Sequence, residues 1–274
     1  MLIMRKKMKL TNKNYYSKKA NLEYLSVSQY KDFFGTLERK GCEAQALAII
    51  KGEFVKERTP AMLIGSYVDA YFEGTLKSFK ENTPELFKKD GTLKAEYLKA
   101  DEMIKRCEAD KRFMQYLSGD KQVIMTAEWL GAKWKIKMDS YIKNRAIVDL
   151  KTVDDLYKGV YCEGTGKLNF IQAKGYDFQL AVYQKIVELN TGHKLPCYIA
   201  AVDKTKSPAI EIIQVTQAEL DSSLVGIRED YVSLIKALKK GGDLKPDRCG
   251  RCDYCKQTKV IEKPISMQDL LKGE

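Results

Sequence analysis

Residues 135–152 read KIKMDSYIKNRAIVDLKT, and their alternation of polar and apolar side chains predicts two antiparallel β-strands joined by a short loop. A three-residue loop at 143–145 pairs Ile142 with Ala146 and keeps the apolar residues of both strands on one face. A loop one residue longer would set the apolar face of one strand beside the polar face of the other. The register of this hairpin therefore decides the fold.

Two aspartates and a lysine lie on the polar face of the hairpin. In the predicted register Met138 pairs with Leu150, and Asp139 lies directly opposite Asp149. Opposed residues place their Cβ atoms about 4.5–5.5 Å apart, where two carboxylates repel unless a cation lies between them or one takes a proton. Lys151 follows on the same face, where its ammonium could orient a water or offset charge on a phosphate. The hairpin predicts a divalent-metal site, and the alternative is a solvated strand face with ordinary charges.

The segments around the hairpin predict a mixed α/β protein. Helices are predicted at 28–36, 42–52, 60–74, 94–118, 167–190 and 216–240, and strands at 122–130, 133–142, 146–153, 196–203 and 209–215. The order helix, three strands, helix, strand is typical of a mixed sheet flanked by helices. We find no repeat or low-complexity linker, so residues 1–274 are predicted to form a single domain.

The composition indicates a globular protein with a basic excess. The net charge of +11 favours a polyanionic partner such as a phosphate backbone. No run approaches the ~18 apolar residues of a membrane span, and the basic N-terminal stretch lacks the apolar segment of a secretory signal, so a cytoplasmic protein without a membrane partner is predicted. The one histidine, His193, is predicted to help end the helix before it, which argues against histidine-based catalysis.

A cysteine run near the C-terminus predicts a second metal site. Cys249, Cys252 and Cys255 have the spacing C-x2-C-x2-C, which lets three thiolates converge on one centre and matches a ferredoxin-type run better than paired zinc knuckles. A fourth ligand must come from elsewhere. The isolated cysteines, predicted to be buried, are Cys107, Cys162 and Cys197. An odd total of seven cysteines argues against a disulfide scaffold.

The pattern Asp139…Asp149-Leu150-Lys151 resembles the PD-(D/E)XK nuclease superfamily. The resemblance implies a restriction-endonuclease-like core of αβββαβ order at about 60–215, with N- and C-terminal additions. It also implies that the two aspartates bind Mg²⁺ or Mn²⁺, with the Leu150 carbonyl sharing the metal, and that Lys151 assists attack of water on a phosphodiester. The family's proline before the first acid is absent, since Met138 stands there.

Two further segments resemble the RecB-like and RecE-like branches of the superfamily. GYDFQLAVYQ, residues 175–184, is similar to a Tyr-x-x-Gln-x-x-x-Tyr helix. The likeness implies that Gln179 and Tyr183 act on the substrate strand, with Tyr176 one turn earlier; an amphipathic helix with incidental polar groups is the alternative. GSYVDAYFEG is similar to the Gly-x-x-x-His segment of the first core helix, with Asp69 in place of the histidine, where it could complete the metal site.

The closest likeness is to phage and prophage proteins related to RecE-type exonucleases. It implies a Mg²⁺-dependent exonuclease acting on double-stranded DNA ends in recombination, a single-strand annealing recombinase as partner, and a homo-oligomer. A nicking or branch-specific endonuclease and a non-catalytic DNA-binding subunit are the alternatives. Glu128 is a secondary candidate, because relatives often carry an acid at the start of the hairpin. Lys133, Lys135 and Lys137 could line the DNA track.

Cys42 lies in LSVSQYKDFFGTLERKGCEAQA, which resembles the N-terminal cysteine segment of the iron–sulfur nucleases of this superfamily, AddB and the CRISPR adaptation nucleases. The resemblance implies that Cys42 joins Cys249, Cys252 and Cys255 around a [4Fe–4S] cluster that clasps residues 245–258 to the nuclease domain. The late spacing is tighter than in those relatives, and Zn²⁺ is the alternative cofactor.

Overall fold

The computed structural model of the chain describes residues 8–270. Its α-helices are α1 (Lys18–Glu23), α2 (Val27–Phe34), α3 (Glu43–Lys51), α4 (Pro60–Phe72), α5 (Leu76–Glu81), α6 (Ala95–Glu108), α7 (Lys111–Tyr116), α8 (Phe170–Lys174), α9 (Tyr176–Thr191), α10 (Gln217–Val225), α11 (Glu229–Lys240) and α12 (Asp253–Gln257). Several begin at a side chain that accepts a hydrogen bond from the first turn, as Ser26, Thr59 and Thr216 do.

The strands are β1 (Val123–Trp129), β2 (Ala132–Met138), β3 (Ser140–Ile142), β4 (Ala146–Val153), β5 (Val160–Cys162), β6 (Gly166–Leu168), β7 (Cys197–Asp203) and β8 (Ile210–Val215). A four-stranded sheet has the order β3-β4-β7-β8, in which β4 and β7 are parallel and the other neighbours antiparallel. The pairs β1–β2 and β5–β6 form separate two-stranded hairpins. This mixed sheet with helices on its faces confirms the predicted fold class.

The hairpin at residues 135–152 has the predicted register at its turn, since Ile142 pairs with Ala146. The predicted continuous strand is wrong, because the backbone bends at Asp139, where β2 ends and β3 begins. Strand β2 pairs with β1, so Met138 is not the partner of Leu150. The Asp139 carboxylate instead accepts a hydrogen bond from the Leu150 backbone N–H at 3.0 Å. Asp139 thus approaches β4 through its side chain and not through strand pairing.

Strand β4 is buried on both faces, and its alternation decides where the charged residues point. Val148 and Leu150 pack with α4 and α6 on one side of the sheet. Ile147 and Val153 pack with α2, α9 and α11 on the other. Asp149 shares the second face by period-two alternation, as does Lys151. Both charged residues therefore point toward α9.

Three predicted helices are each interrupted. The interrupted segments are those predicted at 94–118, 167–190 and 216–240. Asp110 separates α6 from α7, because its side chain caps α7 by accepting from the Phe113 N–H at 2.8 Å. Gly175 separates α8 from α9 with a left-handed φ of 60°, and α10 ends at Gly226.

Other predictions made from single residues agree with the structure. His193 is exposed and follows α9, which ends at Gly192 in a left-handed conformation. The isolated cysteines Cys107, Cys162 and Cys197 are buried, and all seven cysteines are free of disulfides. None of the described helices is long and apolar enough to cross a bilayer. The first seven residues of the N-terminal stretch considered as a signal lie outside the described part of the chain.

Candidate active site

A cleft of about 250 Å³ opens where α4, the bend after β2, strand β4 and helix α9 meet. Its lining residues are Tyr15, Tyr16, Ser26, Val27, Ser28, Lys31, Asp69, Glu73, Gln122, Lys135, Lys137, Asp139, Asp149, Leu150, Lys151, Gln179 and Tyr183. The structure therefore brings the three predicted metal-binding aspartates, the lysine and the two α9 residues to one place, although 114 positions separate Asp69 from Tyr183 in the sequence.

Asp149 lies at the centre of the cleft and is only 2% exposed. The Gln179 side-chain amide donates to its Oδ1 at 2.8 Å. Its Oδ2 forms an ion pair with the Lys151 ammonium but accepts no hydrogen bond of normal geometry from the described residues. The Lys151 ammonium is the cation that offsets the cost of burying this oxygen, and a carboxylate oxygen with two lone pairs can approach a metal ion as well.

Asp139 and Asp69 are crowded by other carboxylates in the same cleft. Burial, and then the charge of Asp149, raise the pKa of Asp139 to about 7. Burial and the charge of Asp139 raise the pKa of Asp69 well above its usual value. The Gln122 amide donates to Asp139 Oδ1 at 3.3 Å, and no arginine or second lysine contacts this carboxylate among its described hydrogen bonds. Unless a further positive charge lies close by, the raised pKa values of Asp139 and Asp69 favour the protonated form of these carboxyl groups.

Lys151 supplies the positive charge closest to the acids. Burial works against the charge of its ammonium, but Asp149 and Asp139 outweigh that effect and raise the pKa of Lys151. The ring of Tyr176 lies 4.8 Å from Lys151 Nζ and 5.2 Å from Lys31 Nζ, so this ring contacts two ammonium groups. Lys151 is therefore protonated, and it can donate a hydrogen bond but cannot act as a base.

Helix α9 positions the remaining predicted residues. Gly175 starts the helix in a left-handed conformation, and Gln179 follows one turn after Tyr176 on the side that faces β4. Tyr183 also lines the cleft, and burial raises the pKa of its hydroxyl well above the usual value. Tyr183 therefore meets the cleft as a neutral hydroxyl.

The cleft also contains residues that sequence reasoning missed. Glu73 lies four residues after Asp69 at the end of α4, and that spacing on one helical face was an available signal. Lys31 of α2 donates to the carbonyls of Lys174 and Gly175 at 3.2 and 3.4 Å, and burial, then Lys151, lower its pKa to about 8. No local sequence pattern connects Lys31 with β4, because their approach depends on tertiary packing.

Two tyrosines form the mouth of the cleft. Tyr16 is 68% exposed, and its ring lies edge-on to that of Tyr15 with 4.9 Å between the centroids. The Lys137 ammonium lies 4.8 Å from the Tyr16 ring. An exposed aromatic face beside a cation suits contact with a base and its phosphate.

Some predicted site residues lie elsewhere. Glu128 pairs with Lys133 across β1–β2, and both line a larger cavity of about 560 Å³ between α1, the β1–β2 turn and α11. That cavity contains none of the three aspartates. Lys133 is bound to Glu23 at 3.0 Å. Neither the secondary candidate Glu128 nor Lys133 therefore lines the cleft that contains the three aspartates.

Lys135 is a structural residue of the cleft wall. It is 1% exposed, and its ammonium donates to the Tyr15 carbonyl and to Asn21 Oδ1. Burial lowers its pKa to about 8. The predicted row of three strand lysines along a DNA track is thus reduced to Lys137, which has its ammonium at the cleft mouth.

The carboxylates of the cleft fit a hydrated divalent ion. Carboxylate and carbonyl oxygens are the ligands that Mg²⁺ prefers, and Mg²⁺ usually keeps several waters and takes only one or two protein carboxylates. Within residues 8–270, no three cleft carboxylates bring their oxygens within 4.8 Å of one another. Asp149 Oδ2, which is paired with Lys151, offers one ligand oxygen, and Asp139 and Asp69 offer others nearby.

The four predicted cysteine ligands converge at a second site. The Sγ atoms of Cys42, Cys249, Cys252 and Cys255 lie within 4.8 Å of one another. Cys42 caps the start of α3, whereas the other three belong to the segment that leads into α12. The group could bind a metal such as zinc or an iron–sulfur cluster.

The helix–strand order of the core and the meeting of Asp139, Asp149 and Lys151 at β4 place the chain among PD-(D/E)XK nucleases, as the sequence predicts. Residues 26–258 match the family described as a PDDEXK-like domain of unknown function (DUF3799), and the chain belongs to this family.

A solved structure supports the same assignment. The crystal structure of a proposed exonuclease from Eubacterium rectale is 49% identical, covers 97% of this chain and 100% of its own, and superposes with a TM-score of 0.93. A second structure, that of SSO0001, is 13% identical over 70% of this chain and 83% of its own, with a TM-score of 0.28 that carries no argument. No curated protein shows a significant match.

Proposed function

We propose that the chain is a Mg²⁺-dependent deoxyribonuclease that degrades double-stranded DNA from its ends. The observation that carries the proposal is the set of contacts around Asp149. Its carboxylate contacts Lys151 and Gln179, and the backbone N–H of the next residue, Leu150, donates to Asp139. The exonuclease assignment proposed for the Eubacterium rectale protein, at 49% identity over nearly the whole chain, supports the mode of cleavage. We further propose that residues 1–274 act as one nuclease domain.

Asp139 and Asp149 would hold the ion directly, together with the Leu150 carbonyl, and Asp69 would complete the site through a metal-bound water. In a β-strand, the N–H and C=O of one residue point to the same edge. Since the Leu150 N–H meets Asp139, its carbonyl faces that side as well. When bound, the ion would supply positive charge that offsets the charge developing on the phosphate.

Lys151 and Tyr183 would act on the substrate directly, whereas Gln179 would position Asp149. Lys151 carries its proton and can donate to the attacking water or to a phosphate oxygen, which orients the one and stabilises the other. Gln179 fixes Asp149 by donating to Oδ1, and Oδ2 is the oxygen that pairs with Lys151. The neutral Tyr183 hydroxyl can donate to the backbone of the scissile strand.

The proposal also includes a role in phage-type DNA recombination, with a single-strand annealing recombinase as partner. The chain would form a homo-oligomer and act in the cytoplasm. This part of the proposal is supported by the sequence resemblance alone. The four cysteines would serve as a structural clasp between α3 and residues 245–258, a role that either a [4Fe–4S] cluster or Zn²⁺ would fill.

Digestion of linear double-stranded DNA with Mg²⁺ tests the site. Wild type should degrade the DNA, and Lys151→Ala should lose at least about 100-fold in rate, because it removes charge stabilisation at the reacting phosphate. Lys206→Ala removes an exposed lysine of the β7–β8 loop and should keep the wild-type rate. Because Lys151→Ala also breaks the buried ion pair with Asp149, the rates are compared well below the melting temperature of the variant, so that any loss is chemical.

Substrate topology then tests the mode of cleavage. An exonuclease should degrade linear DNA and leave covalently closed circular DNA intact. Cleavage of circles, or of branched DNA in preference to linear ends, would replace the exonuclease with an endonuclease of the same chemistry. If the wild-type protein cuts none of these substrates, the chain is a DNA-binding subunit on a nuclease scaffold.

A further inference from the structure

The spacing of the four cysteine sulfurs limits the kind of metal centre that they can form. Cys42 Sγ and Cys255 Sγ are 3.6 Å apart, and all four sulfurs lie within 4.8 Å of one another. Thiolates that share one tetrahedral Zn²⁺, with Zn–S bonds of about 2.3 Å, lie about 3.8 Å apart by simple geometry. The sulfur spacings therefore fit four thiolates that share a single ion.

A [4Fe–4S] cluster requires a wider arrangement. Its four thiolates bind four different irons, so they must be farther apart than thiolates that share one ion. Two of the four cysteines resist such a widening, since Cys42 and Cys255 are 7% and 2% exposed and pack with Ala44, whereas Cys249 and Cys252 are half-buried. We propose that the four cysteines hold one Zn²⁺ in a closed tetrahedral site, and not the iron–sulfur cluster that the resemblance implies.

Backbone N–H groups stabilise the thiolates of this site. Gln45 N–H donates to Cys42 Sγ at 3.5 Å, Cys252 N–H to Cys249 Sγ at 3.3 Å, and Cys255 N–H to Cys252 Sγ at 3.4 Å. These donors offset the negative charge that four thiolates bring to one divalent ion, and they fix the direction of each sulfur.

The ion would staple distant parts of the chain together. The Ala44 N–H donates to the Asp247 carbonyl at 3.0 Å, and the Asp247 N–H donates to Glu43 Oε2 at 2.9 Å. The rings of Phe54 and Tyr254 meet edge-on with 5.5 Å between centroids. With four protein thiolates as ligands, a bound Zn²⁺ would have no open position for a substrate, and its role would be structural.

Metal analysis of anaerobically purified protein tests the proposal. Cells are grown in minimal medium with equal zinc and iron, and zinc, iron and acid-labile sulfide are then measured per chain. We expect about one zinc, no stoichiometric iron or sulfide, and no visible absorption. About four irons with sulfide would overturn the proposal, as would a protein that binds neither metal with the cysteines reduced. Exchange with Co²⁺ should give the intense visible bands of a tetrahedral cobalt thiolate centre.

Variants assign the zinc to these cysteines. Cys42→Ser should lose most of the bound zinc and melt at a lower temperature, whereas the matched Cys107→Ala, at a buried cysteine outside the cluster, should keep its zinc. Retention of a full equivalent of zinc by Cys42→Ser would contradict the site. Lys151→Ala should also keep its zinc, so this result is independent of nuclease activity.

Discussion

A single buried carboxylate organises the candidate active-site cleft. Asp149 is 2% exposed. Its carboxylate has two polar side-chain partners: Gln179, which donates to Oδ1, and Lys151, which forms an ion pair with Oδ2. Removing one partner of a buried ion pair typically costs about 3–5 kcal/mol, because it leaves the other charge buried and unpaired. Asp149 and Lys151 therefore depend on each other, because the loss of either leaves the other charge buried without a partner.

Gln179 is expected to act through Asp149 as a positioning residue. Gln179→Ala removes the amide that fixes Oδ1, so the half-saturating Mg²⁺ concentration should rise about 10–100-fold, the usual effect of losing a group that orients a metal ligand. Titration of the rate with Mg²⁺ measures the shift. Gln179→Glu should be at least as harmful, because it places a second carboxylate against Asp149.

The control for this prediction is Gln172→Ala. Gln172 lies on the exposed side of α8 and does not line the cleft, so its removal should leave the Mg²⁺ dependence unchanged. An unchanged Mg²⁺ requirement in Gln179→Ala, with a normal melting temperature, would show that Gln179 does not position the ligand.

The sequence predicts the type and order of the helices and strands better than it predicts the points where they bend or break. The alternation around the hairpin gives the correct Ile142–Ala146 turn, because one buried face fixes register. The same alternation continues through Asp139 and hides the bend, which depends on the Leu150 N–H meeting a side chain. The helical period likewise continues across Gly175, although the backbone there is left-handed.

Gly175 is predicted to be required for its backbone conformation. Its φ is 60°, and a Cβ atom would meet only ordinary contacts at 3.5–3.9 Å, so Gly175→Ala should cost about 1–2 kcal/mol of stability through the left-handed conformation alone. Urea unfolding measures this cost. Gly175→Asn should cost less, since asparagine tolerates this region. A stability of Gly175→Ala equal to that of wild type would mean that the break between α8 and α9 is not needed.

The lysines buried between α11, β2 and the N-terminal segment predict a pH effect on stability. Lys239 donates to the Tyr24 carbonyl and to Gln29, and burial, then the charge of Lys135, lower its pKa to about 7. The unfolded chain therefore binds more protons than the folded chain between about pH 7 and 10. The free energy of unfolding should accordingly rise with pH in this window, and the penalty is complete below pH 7.

Comparison of wild type with Lys239→Met measures this effect. Between pH 7 and 9 the unfolding free energy of wild type should rise by about 1–2 kcal/mol more than that of the variant, as a slope of up to ~1.4 kcal/mol per pH unit allows. Lys240→Met, at the exposed neighbour, should keep the wild-type slope. Parallel curves for wild type and Lys239→Met would show that Lys239 stays charged in the fold.

For the whole molecule, the sequence predicts the superfamily and most of the site because its chemistry is concentrated in one hairpin and one helix. The contributions of Glu73 and Lys31 depend on how α4 and α2 pack against the sheet, and periodicity within a segment contains no such information. The cysteines show the same limit. Spacing along the chain predicts Cys249, Cys252 and Cys255 as ligands and the family resemblance adds Cys42, whereas the choice of metal depends on distances between sulfurs that only the folded chain defines.

The net charge of +11 predicts salt-dependent DNA binding, and the fold decides which charges contribute. Lys137 and Lys133 lie four residues apart on β2, but Lys137 is at the cleft mouth whereas Lys133 is paired with Glu23 beside the other cavity. With Ca²⁺ replacing Mg²⁺ to prevent cleavage, Lys137→Ala should weaken DNA binding and reduce the slope of log K against log salt by about 1. Lys133→Ala should leave the slope unchanged. Fluorescence anisotropy at several salt concentrations measures both, and equal slopes for the two variants would show that DNA does not pass the Tyr16–Lys137 side of the cleft.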